Sequence, residues 1–238
     1  VGGILKVYKR NEDGSLTDVQ TIQLEGSSVH PQQTSPLLHS TKASPGNQYI
    51  AVADKGTDKI WLFTIDEGNE QLVPHSQPFV KVQAGAGPRH MVWSENGAFL
   101  YVINELDKTI NVIQHKAEDQ SFASVQSIST LPEGYEETSY CADIHLHPNG
   151  QFLYGSNRGH NSIAMYSIDA ENGMLTSLGQ ESTRGEYPRN FNISPNGNLL
   201  LVANQNTSNI TSYSIQADGK LQFLDLDYEI ETPVCIEY

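Results

Sequence analysis

The sequence predicts an all-β chain folded as a β-propeller with four-stranded blades, and three observations carry that prediction. Four segments align without gaps over their central part: SPGNQYIAVADKGTDKIWLFTI from Ser44, SENGAFLYVINELDKTINVI from Ser94, HPNGQFLYGSNRGHNSIAMY from His147 and SPNGNLLLVANQNTSNITSYSI from Ser194. Their spacing is about fifty residues, a length that suits a propeller blade. Within each unit, short apolar β-rich runs are joined by tight turns, as His90 to Trp93 and Phe99 to Ile103 are around Glu95-Asn96-Gly97. No stretch carries a convincing helical period.

The elements follow in order. Residues 3–9 and 16–24, separated by Asn11-Glu12-Asp13-Gly14, read as the third and fourth strands of an earlier blade. Full blades follow at 37–83, 88–130, 140–181 and 188–227, each ending in a more polar fourth strand such as 121–130 or 175–181. Residues 232–238 read as the first strand of a later blade. A propeller must close, or it leaves apolar faces and strand edges open. Four blades and three strands do not obviously close, and a start at Val1 in mid-pattern favours a fragment of a larger ring. Residues 1–238 are therefore expected to form one propeller domain that is incomplete at its N-terminus.

Composition narrows the function. The net charge of -14 argues against a nucleic-acid surface. The apolar runs are of strand length, well short of the ~20 residues a membrane helix needs. No basic region leads into an apolar one at the start, so a cytoplasmic location is expected. Cys141 and Cys235 lack CxxC spacing and sit in apolar runs, which predicts buried free thiols.

The repeat also shows where chemistry should sit. The first and second strands of a blade are antiparallel, so the start of one and the end of the other lie at the same mouth of the central channel. Six residues before the reference positions Pro45, Glu95, Pro148 and Pro195 stand His39, Arg89, Ala142 and Arg189. Ten residues after them stand Lys55, Glu105, Arg158 and Gln205. The adjoining columns hold Ser40, His90, Asp143 and Asn190, and Asp54, Asn104, Asn157 and Asn204. Three of the five arginines fall in this ring of an acidic chain, which suggests an anionic ligand held by guanidinium forks. The opposing reading is a solvated rim paired with Asp143 and Glu105. For the Asn column, capping of local backbone competes with ligand contact. Sequence motifs for a nucleophile elbow, a zinc protease helix, a phosphate loop or a dinucleotide fold are absent. His145 and His147 share a strand face but lack metal-ligand spacing, so neither metal nor cofactor is expected.

At GPRH (87–90), INEL (103–106), SNRGHNSIA (156–164), YPRNF (187–191), LLVANQN (200–206), TPVCI (232–236) and VADKGTDKI (52–60), the sequence resembles the lactonase family of seven-bladed propellers. That family includes propeller-type 6-phosphogluconolactonases and 3-carboxy-cis,cis-muconate lactonizing enzymes. The resemblance covers essentially the whole chain and implies that about one hundred N-terminal residues, on the order of two blades, precede it. It implies a catalytic set of His39, Arg89, Glu105 and Arg158, all within the columns above. Leu37 stands where a first histidine is usual, which leaves His39 alone there.

The implied reaction is metal-free hydrolysis of a phosphorylated sugar lactone. Glu105 or His39 would act as general base, Arg89 would face the oxyanion, and Arg158, with Arg189 or His160, would hold the phosphate. His90, Asn104, Asp143, Asn157, Asn190 and Gln205 complete the expected substrate-binding set. Cycloisomerisation of a carboxylated muconate needs the same residue types, and a propeller that binds an anion or a protein without turnover is the third reading. The expected partner is a small anionic sugar lactone, with no nucleic acid and no membrane. Self-association of the open chain is also expected.

Overall fold

In the computed structural model, which describes residues 2–238, alternating apolar strands build four sheets of four antiparallel strands and one of two. The two-stranded sheet pairs β1 (Ile4–Arg10) with β2 (Leu16–Gln23). The first full blade holds β3 (Leu38–Ala43), β4 (Ile50–Asp54), β5 (Lys59–Asp66) and β6 (Gln71–Lys81). The second holds β7 (Pro88–Trp93), β8 (Phe99–Asn104), β9 (Thr109–Lys116) and β10 (Ser121–Ser129). The third holds β11 (Tyr140–Leu146), β12 (Phe152–Arg158), β13 (Ser162–Ile168) and β14 (Leu175–Ser182). The fourth holds β15 (Pro188–Ile193), β16 (Leu199–Asn204), β17 (Asn209–Ile215) and β18 (Leu221–Glu229). These limits match the four expected blades to within two residues at each end. A single 3₁₀ turn, Pro45–Asn47, is the one helical element among the described residues.

Strand order within each blade follows the chain, and β3, β7, β11 and β15 neighbour one another in turn around the axis. The turn from first to second strand explains the repeat's Ser and Asn-Gly. Ser94 Oγ accepts the Phe99 N–H at 2.9 Å, while the Gly97 N–H closes on the Ser94 carbonyl at 2.9 Å. Ser194 does the same for Leu199 and Gly197, and Ser44 for Tyr49 and Asn47. In the third blade the His147 N–H donates to the Phe152 carbonyl at 2.9 Å and the His147 carbonyl accepts the Gly150 N–H at 2.8 Å.

The core is a series of layers between blades rather than a single centre. Ala51, Ala53, Ile60 and Leu62 of the first blade pack on Met91, Leu100 and Val102 of the second. Tyr101, Ile103 and Ile110 then meet Leu153, Ala164 and Tyr166. Tyr154, Ile163 and Met165 meet Phe191, Val202 and Tyr213. Neighbouring blades are also joined by a recurring amide clamp. The Gln20 side chain bonds both the N–H and the carbonyl of Leu72, Gln77 bonds both of Phe122, and Gln126 bonds both of Leu175. Gln20 lies on β2, so β1 and β2 occupy the places of a third and a fourth strand, as expected.

Two expectations are corrected. Residues 232–238 form no strand; the segment is tied to β15 by side chains, with the Ile236 N–H bonded to Asn190 Oδ1 at 2.7 Å and the Ile236 carbonyl accepting from Asn192 Nδ2 at 3.0 Å. Among the described residues no second strand lies beside it to complete a ladder. Cys235 is consequently exposed, whereas Cys141 is buried as expected, its thiol pushed up to about 12 by that burial.

Candidate active site

The mouth is built by a bulge that recurs at the start of each innermost strand. Leu38 pairs with Asp54 and Ser40 with Ala53, so His39 is an extra residue in β3. Arg89 is the extra residue between Pro88 and His90, and Arg189 between Pro188 and Asn190. In β11, Ala142 and Asp143 together oppose Ser156, whose hydroxyl accepts the Asp143 N–H at 3.0 Å. A bulge breaks the alternation and re-aims the inserted side chain. Lys55, Glu105 and Gln205 follow the second strands and are fixed by backbone bonds to Leu37, Gly87 and Tyr187 at 3.0, 2.7 and 3.1 Å. Gly87 has φ +68, and a Cβ there would stand 2.8 Å from Leu106 Cγ, so glycine is required beside Glu105.

Glu105 is the hub of one side. Lys55 Nζ donates to Oε1 at 2.7 Å, Arg89 Nε donates to Oε2 at 2.9 Å, and Arg158 Nη2 lies 3.2 Å from Oε2. Burial opposes ionisation of Glu105, but the Lys55 hydrogen bond and the Arg158 and Arg89 charges outweigh it and hold the carboxyl below its usual range. Arg89 also donates to the Ala142 carbonyl at 2.5 Å, and Arg158 to the Cys141 carbonyl at 2.7 Å. Burial and the nearby Arg158 charge lower Arg89 to about 10, which leaves it charged at neutral pH. Arg158 rests over the Tyr187 ring, 5.1 Å from its centroid, and its buried Nε has no partner among the described residues.

Asp143 is the hub of the other side. It accepts from His90 Nδ1 at 2.6 Å, His145 Nε2 at 3.1 Å and Asn190 Nδ2 at 2.5 Å. Burial disfavours its charge, yet the His145 and His90 bonds hold the carboxyl well below the ordinary range. His39 stands edge-on to His90 with ring centroids 5.1 Å apart. Burial, then the Arg89 charge, pushes the His39 imidazole down. Its ring is exposed, so water weakens the effect, but the direction is toward a neutral imidazole. A cavity of about 390 Å³ touches His39 and Lys55, and another of about 330 Å³ touches His90, Asp143, His145 and Asn190.

The structure thus gathers His39, Arg89, Glu105, Arg158, His90, Asp143 and Asn190. Arg189 is half-buried, has no hydrogen-bond or ion-pair partner among the described residues, and its charge is felt at Arg89. Gln205 has a buried, unpartnered Oε1. His160 stands apart, bonded to Ser162 and packed on Tyr135, with burial lowering its imidazole. Asn104 and Asn157 do not reach the mouth. Both are fully buried, Asn104 bonding Thr109 and Asn111, and Asn157 bonding Thr130 and Ser162. Their amides brace the blade because the residue after them, rather than they, turns into the channel. Lys55 and His145 join the site although the expected set omitted them; Lys55 shares Glu105's repeat column, which was the signal for it. Among the described residues no group of three or more His, Cys, Asp or Glu is placed to hold a metal.

A propeller with arginines, histidines and two carboxylates converging at a channel mouth is the class these observations define. The lactonase seven-bladed β-propeller family matches residues 1–238, and the chain belongs to that family. It is 35% identical to a 6-phosphogluconolactonase of Serratia proteamaculans over 188 residues, covering 78% of this chain and 56% of that protein. It is 36% identical to an uncharacterised protein of Lactococcus lactis subsp. cremoris over 190 residues, covering 79% of this chain and 54% of that one. Among solved structures, a Lactobacillus plantarum protein superimposes with TM-score 0.91 at 35% identity, covering 98% of this chain and 67% of its own. A periplasmic gluconolactonase of Pseudomonas aeruginosa gives TM-score 0.91 at 30% identity, covering 98% of this chain and 65% of its own. The chain spans about half the length of the curated relatives it matches.

Proposed function

We propose that this mouth hydrolyses a phosphorylated sugar lactone of the 6-phosphogluconolactone type, without a metal ion. The observation that carries the reading is the gathering of Lys55, Arg89, Arg158 and Arg189 at one rim of a chain whose net charge is -14. Glu105 ties the first three of these together and leaves Arg189 free of any ion pair among the described residues. Arg189 is the cation available for the phosphate. Arg89 and Arg158, held in place by Glu105 and by backbone carbonyls, are pre-set to stabilise the oxyanion that develops when water attacks the lactone carbonyl. Glu105 is a poor proton acceptor in this setting, because three cations already share its two oxygens. The base is therefore an imidazole of the rim. Family membership and the relatives named as lactonases support the same reaction.

The test follows 6-phosphogluconolactone hydrolysis above its spontaneous rate, with the protein in its full natural length and a chelator present. The expected result is clear acceleration that falls at least 10²-fold in Arg89→Ala, the size of effect seen when one oxyanion donor is removed. No acceleration, or turnover of a carboxylated muconate instead, would overturn the proposal.

A further inference from the structure

We propose that His90 is the general base of the site and that Asp143 positions it. The proposal rests on the lactonase reading above and assigns the step that reading leaves to an imidazole.

The contacts of the ring admit one protonation state. His90 Nδ1 faces the Asp143 carboxylate at 2.6 Å, and His90 Nε2 faces Arg89 Nη1 at 3.2 Å. A carboxylate only accepts and a guanidinium only donates. Nδ1 therefore carries the proton in the resting site, and the Nε2 lone pair accepts from Arg89 Nη1; in the proposed step Nη1 turns to the developing oxyanion and leaves Nε2 to the water. With Nη1 in this place a protonated ring would set two donors against each other at Nε2, a clash that ends when Nη1 moves to the oxyanion, and the other tautomer would set two acceptors against each other at Nδ1. Asp143 is itself fixed from three further directions, by its bonds to His145 and Asn190 and by the Ile144 N–H at 3.0 Å. A buried, immobile carboxylate that fixes a tautomer and favours the imidazolium once it forms is the arrangement an imidazole base requires.

The other candidates lack this. Glu105 is held by three cations, whereas His90 Nε2 meets one, at the longer distance of 3.2 Å. His39 has no hydrogen bond among the described residues, so nothing sets its tautomer; its ring lies edge-on to His90. His90 is also open on one side, with 31% of its side chain exposed, and it lines the cavity of about 330 Å³.

In the step, the oxygen of a water bonds to the lactone carbonyl carbon while one of its protons passes to His90 Nε2. The carbonyl electron pair moves to the oxygen facing Arg89. As the tetrahedral intermediate collapses, the ring C–O bond breaks and the leaving oxygen takes the proton back from Nε2. His90 returns neutral, and the new carboxylic acid loses its proton to solvent.

The test has two independent readouts on the full-length protein. Nitrogen NMR of labelled histidine should show His90 protonated at Nδ1 in the wild type, and a shift toward Nε2 protonation in Asp143→Asn. In hydrolysis, His90→Gln should lower kcat by about 10²-fold or more with KM little changed. His90→Ala should recover part of the loss with added imidazole, in proportion to its free-base form, which a folding defect would not do. The low-pH limb of kcat should change in Asp143→Asn; the charged or titratable groups around His90 are His39 on β3, Arg89 on β7, Asp143 on β11, and Lys42, His145 and Glu237, which line the same cavity. Wild-type hydrolysis with unaltered kcat in His90→Gln would overturn the dyad and leave the lactonase reading standing. Absence of wild-type hydrolysis would overturn the lactonase reading, and a His90 ring protonated at Nε2 would overturn the dyad alone.

Discussion

Glu105 holds Lys55, Arg89 and Arg158 within 3.2 Å of its carboxylate oxygens and offsets the repulsion among the three cations. Removing one member of a buried ion group costs about 3–5 kcal/mol, because the remaining charges stay buried and uncompensated. Glu105→Gln should therefore lower the free energy of unfolding by an amount near the bottom of that range, since the substrate side of the rim admits water; denaturant titration would measure it. The sign of the pH effect follows from the lowered carboxyl. Its ionised form is favoured by folding, so the contribution is complete above its unfolded value of about 4.3 and is lost as pH falls through the lower folded value. Wild type should lose stability below about pH 4 more steeply than Glu105→Gln. Equal slopes would show that the carboxylate is not held by its cations. The identity of these residues was legible in the sequence, because they interrupt otherwise uniform repeat columns. The division into a Glu105 hub and an Asp143 hub was not legible, because it depends on which side chains cross from one blade to the next.

At the level of strands, bulge and clamp are the two devices that make a blade into part of a site. The bulge inserts His39, Arg89 and Arg189 into ladders that would otherwise turn alternate residues away from the channel. Nothing in strand periodicity marks an inserted residue, so the sequence places these residues at the mouth without showing how they come to face it. The clamp is equally silent in sequence, since Gln20, Gln77 and Gln126 read as ordinary polar residues of outer strands. Each supplies two hydrogen bonds to the backbone of the next blade. Gln126→Ala leaves the N–H and carbonyl of the buried Leu175 without these partners and should cost about 1–3 kcal/mol, with activity retained in the remaining folded protein. A melting temperature unchanged by this substitution would show that water replaces the clamp.

Across the molecule, apolar layers join each blade to the next, and the two-stranded sheet and the fourth blade flank the series. The β15–β18 sheet packs on one neighbouring full blade, and Leu226, Tyr228 and Ile230 near its outer edge are 51%, 59% and 50% exposed. Ile4, Tyr8 and Leu16 are similarly exposed at the other flank. Open edges and apolar flanks favour pairing with another copy. The 238-residue chain alone should therefore self-associate, with a sedimentation coefficient that rises with concentration. A concentration-independent monomer would refute this.

The repeat by itself determined the number of complete blades, their limits and the face of the ring that carries the ionisable residues. These follow from local periodicity and turn chemistry, which each segment carries within its own fifty or so residues. Tertiary structure alone decided that Asn104 and Asn157 brace the blade interior, that His145 belongs to the mouth, that Cys235 is exposed, and that residues 232–238 run along β15 without forming a strand. Each of those outcomes depends on a partner contributed by another strand or another blade. Such partners come together only when the sheets stack around the channel, and no period along the chain encodes which atoms then face one another.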